Sequence, residues 1–122
     1  MKFLLIMNVN PKVLDALTEE EQAMIGSGHG DFMNEITASG EMISTQALSD
    51  PSASVTVKAA DGVPTATDGP FVEAKEFIGG YYLVDVESKE RAVELAKKIP
   101  DATIPGLGIE VRQIMFEAGS EM

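Results

Sequence analysis

Hydrophobic and polar residues along the chain follow first a strand pattern and then a helical one. Residues 2–8 form a short apolar run that polar residues and Pro11 end, which is typical of a central strand covered on both faces. Thr18 followed by Glu21 has the spacing of a capping box, and the acidic residues there suit the positive end of a helix dipole. The pattern therefore predicts a strand over 2–8 and a helix from about Thr18 to Ser39.

One face of this predicted helix is apolar and includes the single histidine of the chain. Ile25, Phe32 and Ile36 recur at helical spacing, and His29 lies between them at separations of four and three residues. The histidine is therefore expected on the buried face of the helix.

Three glycines interrupt the same helix, at positions 26, 28 and 30. Each glycine costs a helix about 1 kcal/mol relative to alanine. Two explanations are open at this point. Either another backbone segment packs closely against the glycines, or the helix is broken in front of His29 and begins again near Asp31.

The rest of the chain contains further strand patterns, a hairpin signal and a second helix. Asp61-Gly62 is a strong signal for a hairpin turn. Ser88 is a suitable cap for a helix that ends before Pro100, with an apolar stripe at positions 92, 95, 96 and 99. The expected strands lie at residues 41–48, 54–59, 63–67, 77–86 and 109–117.

The order of these elements predicts an α+β fold. Strand, helix, strand, hairpin, strand, helix, strand is close to the ferredoxin-like split βαβ pattern with an inserted β-hairpin. Two helices cover only one face of such a sheet, and the strands offer more apolar residues than one face needs. This surplus predicts a homodimer stacked sheet to sheet. The residues expected to be surplus are among Tyr82, Val84, Val86, Ile114 and Phe116.

Composition narrows the class of protein further. A chain of 122 residues with 44% hydrophobic residues suits a single domain over residues 1–122. A net charge of -11 disfavours nucleic acid and anionic membranes as partners, and no apolar run approaches the roughly 18 residues of a membrane span. The absence of cysteine excludes a disulfide framework and a thiolate nucleophile. We therefore expect a cytoplasmic protein.

Three segments carry a resemblance to a known family. Residues 67–76 read Thr-Asp-Gly-Pro-Phe-Val-Glu-Ala-Lys-Glu, residues 79–83 read Gly-Gly-Tyr-Tyr-Leu, and residues 109–114 read Ile-Glu-Val-Arg-Gln-Ile. Together they resemble the YCII-related family, and within it the branch named for the Asp-Gly-Pro-Phe motif. The resemblance implies a dimeric α+β barrel and a genomic context near alternative sigma factors. It also implies a His-Asp pair whose histidine lies on the first helix, and His29 falls at the matching position.

His29 and Asp68 are the candidate catalytic residues. An imidazole is the side chain that ordinarily exchanges protons near neutral pH, although a lone histidine on an apolar helix face is more often a core residue. Asp68 lies on a turn that Gly69-Pro70 forces, where an aspartate commonly caps the turn through backbone N–H groups. If Asp68 instead accepts a proton from one ring nitrogen of His29, it fixes the tautomer and raises the basicity of the other.

Three further residues are candidates for contacting a ligand: Phe71, Tyr82 and Arg112. Tyr81 and Tyr82 alternate faces on one strand, so one of them shares a face with the expected pocket, although packing in the sheet explains both equally well. Arg112 is expected on the dimer side of the last strand. It could bind a carboxylate or phosphate, but an ion pair with Glu110 or another acidic residue is favoured.

Neither a metal site nor a cofactor motif is recognisable. One histidine without cysteines gives no familiar ligand spacing, and Gly106-Leu107-Gly108 leads into a strand rather than opening a helix. The sequence thus leaves two hypotheses for function. The first is a cofactor-independent acid-base enzyme acting on a small organic molecule, and the second is a non-catalytic ligand-binding or regulatory module.

Overall fold

The computed structural model describes residues 1–72 and 74–119, and Glu73 of the motif lies outside them. The strands are β1 (Lys2–Val9), β2 (Met42–Ala47), β3 (Val55–Ala60), β4 (Val63–Asp68), β5 (Phe77–Asp85) and β6 (Gly108–Gln113). The helices are α1 (Pro11–Ala16), α2 (Glu19–Ala38) and α3 (Lys89–Ala96), with short 3-10 turns at Pro51–Ala53 and Pro100–Thr103. The predicted α+β class is confirmed.

Four strands form one antiparallel sheet in the order β2-β5-β1-β6. The remaining strands, β3 and β4, form a separate two-stranded hairpin. Its turn is made by Asp61 at φ 50° and Gly62 at φ 78°. Positive φ at both central residues is the conformation of a type I′ hairpin turn, so the Asp-Gly signal identified the hairpin correctly.

The helices cover one face of the four-stranded sheet and form the core with it. From α2 and α3 come Phe32, Ile36, Ala92, Leu95 and Ala96, and Ile99 follows α3. From the sheet and the residue after β5 come Phe3, Leu5, Tyr82, Val84 and Val86. The predicted apolar stripe of α3 is therefore confirmed, and so are Phe32 and Ile36 of the stripe predicted for α2, whereas Ile25 is half-buried and lies outside the core. The expectation that Tyr82, Val84 and Val86 are surplus to this core is wrong, because all three pack within it.

The opposite face of the sheet has its own apolar stripe. Alternation along each strand places Leu4 and Ile6 of β1 on this face, where they pair with Leu83 and Tyr81 of β5. Ile6 is buried, and the other three side chains are half-buried. The excess of apolar residues that the sequence indicated therefore exists, but on this face it comes from Leu4, Ile6, Tyr81 and Leu83 rather than from Tyr82, Val84 and Val86. Phe116, also expected to be surplus, is 78% exposed.

The long helix α2 begins as the sequence predicts. The Thr18 hydroxyl accepts a hydrogen bond from the Glu21 N–H at 3.1 Å, and the Glu21 carboxylate accepts one from the Thr18 N–H at 2.9 Å. Both halves of the capping box are thus formed. This cap fixes the start of the helix that carries His29.

The three glycines do not break α2, which is continuous from Glu19 to Ala38. At Gly28 a Cβ atom would overlap the ring of Pro100, whereas at Gly26 and Gly30 it would meet nothing within 4 Å. Of the two explanations left open by the sequence, the broken helix is wrong, and close packing applies at Gly28, where the contact is the Pro100 side-chain ring rather than backbone. The segment that packs there is the 3-10 turn that begins at Pro100.

Several boundaries differ from those predicted. Helix α1 was not predicted, and its first turn is capped by the Asn10 side chain, which accepts a hydrogen bond from the Lys12 N–H at 3.0 Å. Strand β6 ends at Gln113 rather than at residue 117, and α3 ends at Ala96, well before Pro100. Among the described residues, none of the helices is both long and apolar enough to cross a membrane.

Candidate functional site

His29 lies at the centre of a short chain of hydrogen-bonded side chains. Its Nδ1 atom is 2.6 Å from the hydroxyl oxygen of Tyr82, and its Nε2 atom is 2.8 Å from Oδ1 of Asp101. The His29 side chain is 21% exposed and that of Asp101 is 10% exposed. The imidazole thus bridges a buried phenol and a buried carboxylate, and both ring nitrogens have partners.

Three different parts of the fold bring these side chains together. Helix α2 presents His29 on the same face as buried Phe32, which contacts the Tyr82 ring edge-on at a centroid distance of 4.9 Å. Strand β5 holds Tyr82 in the core, 2% exposed, with its ring nearly parallel to the imidazole at a centroid distance of 5.9 Å. Asp101 comes from the 3-10 turn after α3, which approaches α2 because Gly28 leaves room for Pro100.

The positions of the protons in this chain of hydrogen bonds follow from the donors and acceptors available. A carboxylate oxygen accepts hydrogen bonds, so Nε2–H of His29 donates to Asp101. In the neutral imidazole, Nδ1 then accepts, and it takes the hydrogen of the Tyr82 hydroxyl. Burial, with a smaller contribution from the negative charge of Asp101, raises the pKa of Tyr82 to about 12. Tyr82 therefore keeps its proton at neutral pH.

This shift of the Tyr82 pKa leads to a measurable pH dependence. The chain has two tyrosines, so Tyr82 is the sole tyrosine in a Tyr81→Phe variant. Absorbance titration of that variant should give a midpoint of about 12, compared with about 10 for an unperturbed tyrosine. Because the folded state binds this proton more tightly, its contribution to stability is complete below pH about 10 and is lost as pH rises towards about 12.

Asp101→Asn in the same background supplies the control for this titration. Removing the carboxylate charge should lower the Tyr82 midpoint while burial keeps it above that of an unperturbed tyrosine. A midpoint near 10 in protein that circular dichroism shows to be folded would contradict the burial of Tyr82.

A cavity of about 340 Å³ opens beside the three side chains. His29, Tyr82 and Asp101 form one part of its wall, and Thr45 and Gln46 of β2 line another part. The remainder of the wall is apolar and consists of Met7, Val9, Met33, Ala47 and Gly79. A concave apolar site with a few convergent polar groups is the usual form of a small-molecule site, and this one is at the small end of the range.

Asp68 lies away from this chain of hydrogen bonds. It is the last residue of β4, it is exposed, and its backbone pairs with Val55 in the two-stranded sheet. The carboxylate in contact with His29 is that of Asp101, and the structure does not bring His29 and Asp68 together. Among the described residues, the Asp68 side chain makes no hydrogen bond, whereas the Gly69 N–H donates to the Ser54 carbonyl at 2.7 Å.

The other candidate ligand-binding residues are found in three different settings. Phe71 is 68% exposed, and the Lys58 ammonium lies 5.7 Å from its ring centroid. Arg112 is largely exposed and forms an ion pair with Glu110, as the sequence favoured. Of the three, Tyr82 is the one that lines the cavity beside His29. Among the described residues there is no cluster of three histidine, cysteine, aspartate or glutamate side chains placed to hold a metal ion.

Sequence reasoning missed Asp101. The sequence did contain an indication of its burial. Asp101 directly follows Pro100 and lies close to the apolar stripe of α3, where a solvated carboxylate is not expected. Asp101 is 7% exposed, and among the residues that the structure describes it is the one charged residue that is buried. A buried carboxylate requires a partner, and a search for one would have led to the single histidine.

Comparison with known proteins identifies the family to which the chain belongs. The chain is 26% identical over 110 residues to an uncharacterised protein of Rhizobium meliloti (strain 1021), an alignment that covers 90% of this chain and 89% of the relative. The model of the YCII-related domain matches residues 1–117, which is nearly the whole sequence. The chain therefore belongs to the YCII-related family.

Proposed function

We propose that this protein binds a small organic molecule in the cavity beside His29 and transfers a proton to or from it without a cofactor. The observation that carries the proposal is the chain of phenol, imidazole and carboxylate on the wall of an apolar cavity. An imidazole exchanges protons near neutral pH, and a carboxylate on one ring nitrogen fixes its tautomer and stabilises its charged form. Asp101 takes the part in this proposal that the sequence suggested for Asp68.

The surroundings of the imidazole favour proton transfer over a purely structural role. A buried imidazole needs a partner on each ring nitrogen whatever its role, and His29 has both. What distinguishes His29 is that it also lines a cavity with Tyr82 and Asp101. The apolar wall limits competing water and strengthens electrostatic interactions inside the site. These conditions suit acid-base chemistry on a bound molecule.

Deuterium incorporation tests the proposal directly. The protein is incubated in heavy water with a set of one-ring ketones and phenols, and exchange at carbon is followed by NMR. Wild-type protein should accelerate exchange of at least one compound, and His29→Gln and Asp101→Asn should each lower the rate by about 100-fold, the usual contribution of a general acid or base. Asp68→Asn is the matched control, and it should leave the rate unchanged.

The outcomes separate the two functional hypotheses. Loss of exchange in Asp68→Asn but not in Asp101→Asn would restore the pair first predicted from the sequence and reject the one proposed here. Binding without exchange for every compound would reject proton transfer. It would favour a ligand-binding or regulatory module, the class to which an association with alternative sigma factors also points.

We further propose that the protein is a ferredoxin-like homodimer of the α+β barrel type, from the Asp-Gly-Pro-Phe branch of the family. The apolar stripe of Leu4, Ile6, Tyr81 and Leu83 on the uncovered sheet face supports a partner stacked there. The separate β3–β4 hairpin also exposes apolar side chains that a second copy would cover. They include Val55 at 59% and Val57 at 64% exposure, with Phe71 nearby at 68%.

A charge on the uncovered sheet face should separate the two copies. Leu83→Lys places an ammonium group in the middle of the proposed interface, where burying it without a partner is costly. Light scattering at micromolar concentration should therefore give a dimer for the wild type and a monomer for Leu83→Lys. Met24→Lys, at an exposed position of α2, should remain dimeric. A monomeric wild-type protein would reject the dimer.

A further inference from the structure

The hydrogen bonds of His29 leave its imidazole without a free ring nitrogen. Nδ1 is occupied by Tyr82 and Nε2 by Asp101. A ligand in the cavity would have to break one of these bonds to reach the ring directly. The polar atoms at either end of this hydrogen-bonded chain each keep a lone pair, so they can accept a hydrogen bond without breaking one.

The first of these atoms is the Tyr82 oxygen. Its hydrogen points to His29 Nδ1 in the neutral state, so the oxygen lone pairs are left to accept a hydrogen bond. Tyr82 lines the cavity although its ring is otherwise packed in the core. A ligand donor in the cavity therefore has an acceptor at a fixed position.

The second is Oδ2 of Asp101. Every buried side-chain nitrogen or oxygen atom of the described residues has a hydrogen-bond partner. The structure shows a partner for Oδ1 but none among the described residues for Oδ2, so Oδ2 is accessible rather than buried. Asp101 also lines the cavity. The two polar atoms at the ends of the hydrogen-bonded chain, the Tyr82 oxygen and Asp101 Oδ2, are therefore both acceptors.

The charge of the cavity selects against anions. Among the described residues that line it there is no lysine or arginine, while Asp101 contributes a carboxylate. The whole protein has a net charge of -11, which adds to the repulsion of an anion. The Asp101 carboxylate would attract a cation, but the cation would lose its hydration against the walls formed by Met7, Val9 and Met33, and for a buried ion pair this cost can exceed the Coulombic gain. An uncharged donor avoids both costs.

We infer that Tyr82 is the residue that contacts the ligand, through its hydroxyl oxygen, and that the ligand is an uncharged hydroxyl compound with an apolar body. The inference rests on the proposed function and specifies its substrate class. His29 then acts behind Tyr82 as the proton acceptor, and Asp101 is the positioning residue that holds the imidazole and stabilises its charged form. Carboxylates and phosphates are excluded from the site.

The proton transfer balances within this arrangement. The ligand hydroxyl gives its proton to the Tyr82 oxygen, and Tyr82 at the same time gives its own proton to His29 Nδ1. The products are an anionic oxygen on the ligand, a neutral phenol, and an imidazolium that donates to the Asp101 carboxylate. One proton has moved from ligand to His29, and its return to another atom of the ligand completes a tautomerisation. No oxidant or reductant is required.

Four probes that share a benzene ring test the ligand class: benzyl alcohol, toluene, benzoate and benzylammonium. Their binding is followed by NMR through carbon-13-labelled methionine methyl groups, because Met7 and Met33 line the cavity. Benzyl alcohol should bind about fivefold more tightly than toluene, the effect of one hydrogen bond worth about 1 kcal/mol. Benzoate and benzylammonium should bind at least tenfold more weakly than benzyl alcohol.

Two variants assign these preferences to particular atoms. Tyr82→Phe keeps the ring in the core, and it should remove the advantage of benzyl alcohol over toluene while leaving the toluene affinity unchanged. Asp101→Asn should weaken the exclusion of benzoate. A purely structural role for Tyr82 would instead change the affinities of both uncharged probes together, and that result would overturn the inference.

The failures of the inference and of the proposed function are distinguishable. Tight binding of benzoate or benzylammonium, or an alcohol preference that survives Tyr82→Phe, would reject the inference about Tyr82 and the ligand class while leaving a small-molecule site in place. If none of the four probes shifts the methyl signals of Met7 and Met33, the cavity does not bind small molecules. The proposed function would then fail together with the inference.

Discussion

Replacing Gly28 by alanine should lower the free energy of unfolding by about 2 kcal/mol, although alanine is the better helix former. A Cβ atom at this position would overlap the Pro100 ring, and overpacking of this kind typically costs about 1–3 kcal/mol. The strain should be relieved by moving the 3-10 turn away from α2. Because Asp101 is in that turn, its hydrogen bond to His29 at 2.8 Å should lengthen or break.

The same helix supplies the controls. Gly26→Ala and Gly30→Ala add a Cβ atom where nothing lies within 4 Å, so each should stabilise the protein by up to about 1 kcal/mol. Urea denaturation measures all three variants, and nitrogen-15 NMR of the His29 ring reports its tautomer and its bond to Asp101. Equal stabilisation by all three alanines would show that Pro100 does not restrict position 28.

Gly28 also shows how much of the fold could be predicted from the sequence. The helix, its cap and its apolar stripe follow from local rules, because capping and periodicity act within a few residues. The cost of the glycines to helix stability was also visible in the sequence. The residue that packs against Gly28, however, is Pro100, which lies far along the chain. Identifying that partner requires the tertiary arrangement, which a local pattern does not contain.

The candidate site shows the same limit of prediction from local sequence patterns. His29 was identified because its residue type and its place on the helix are both local properties. The choice between Tyr81 and Tyr82 depended on which face of β5 the helices cover, and alternation alone does not determine that. Asp68 drew attention through its motif, while Asp101 had no motif. Its burial at 7% exposure arises from how the turn after α3 packs against α2.

Replacing His29 by alanine should destabilise the protein by about 3 kcal/mol, which is more than expected for a partly exposed residue. The substitution leaves the Tyr82 hydroxyl and the Asp101 carboxylate without their shared partner. An unsatisfied buried polar group costs about 1–3 kcal/mol, and a charged one more. Stability measured by urea denaturation therefore reports whether the chain of hydrogen bonds exists in solution.

A double-mutant cycle separates this chain from a general loss of packing. His29→Ala and Asp101→Ala together should cost about 2 kcal/mol less than the sum of the single changes, because the second change removes a group that the first has stranded. Glu35 and Lys98 form the matched exposed pair, joining α2 to the segment after α3 at 2.5 Å. Their cycle should give less than about 1 kcal/mol, since exposed ion pairs are screened by solvent. Equal coupling energies in the two cycles would mean that the contact between His29 and Asp101 is a surface ion pair. The proposed proton transfer through Tyr82 and His29 would then lose its structural support.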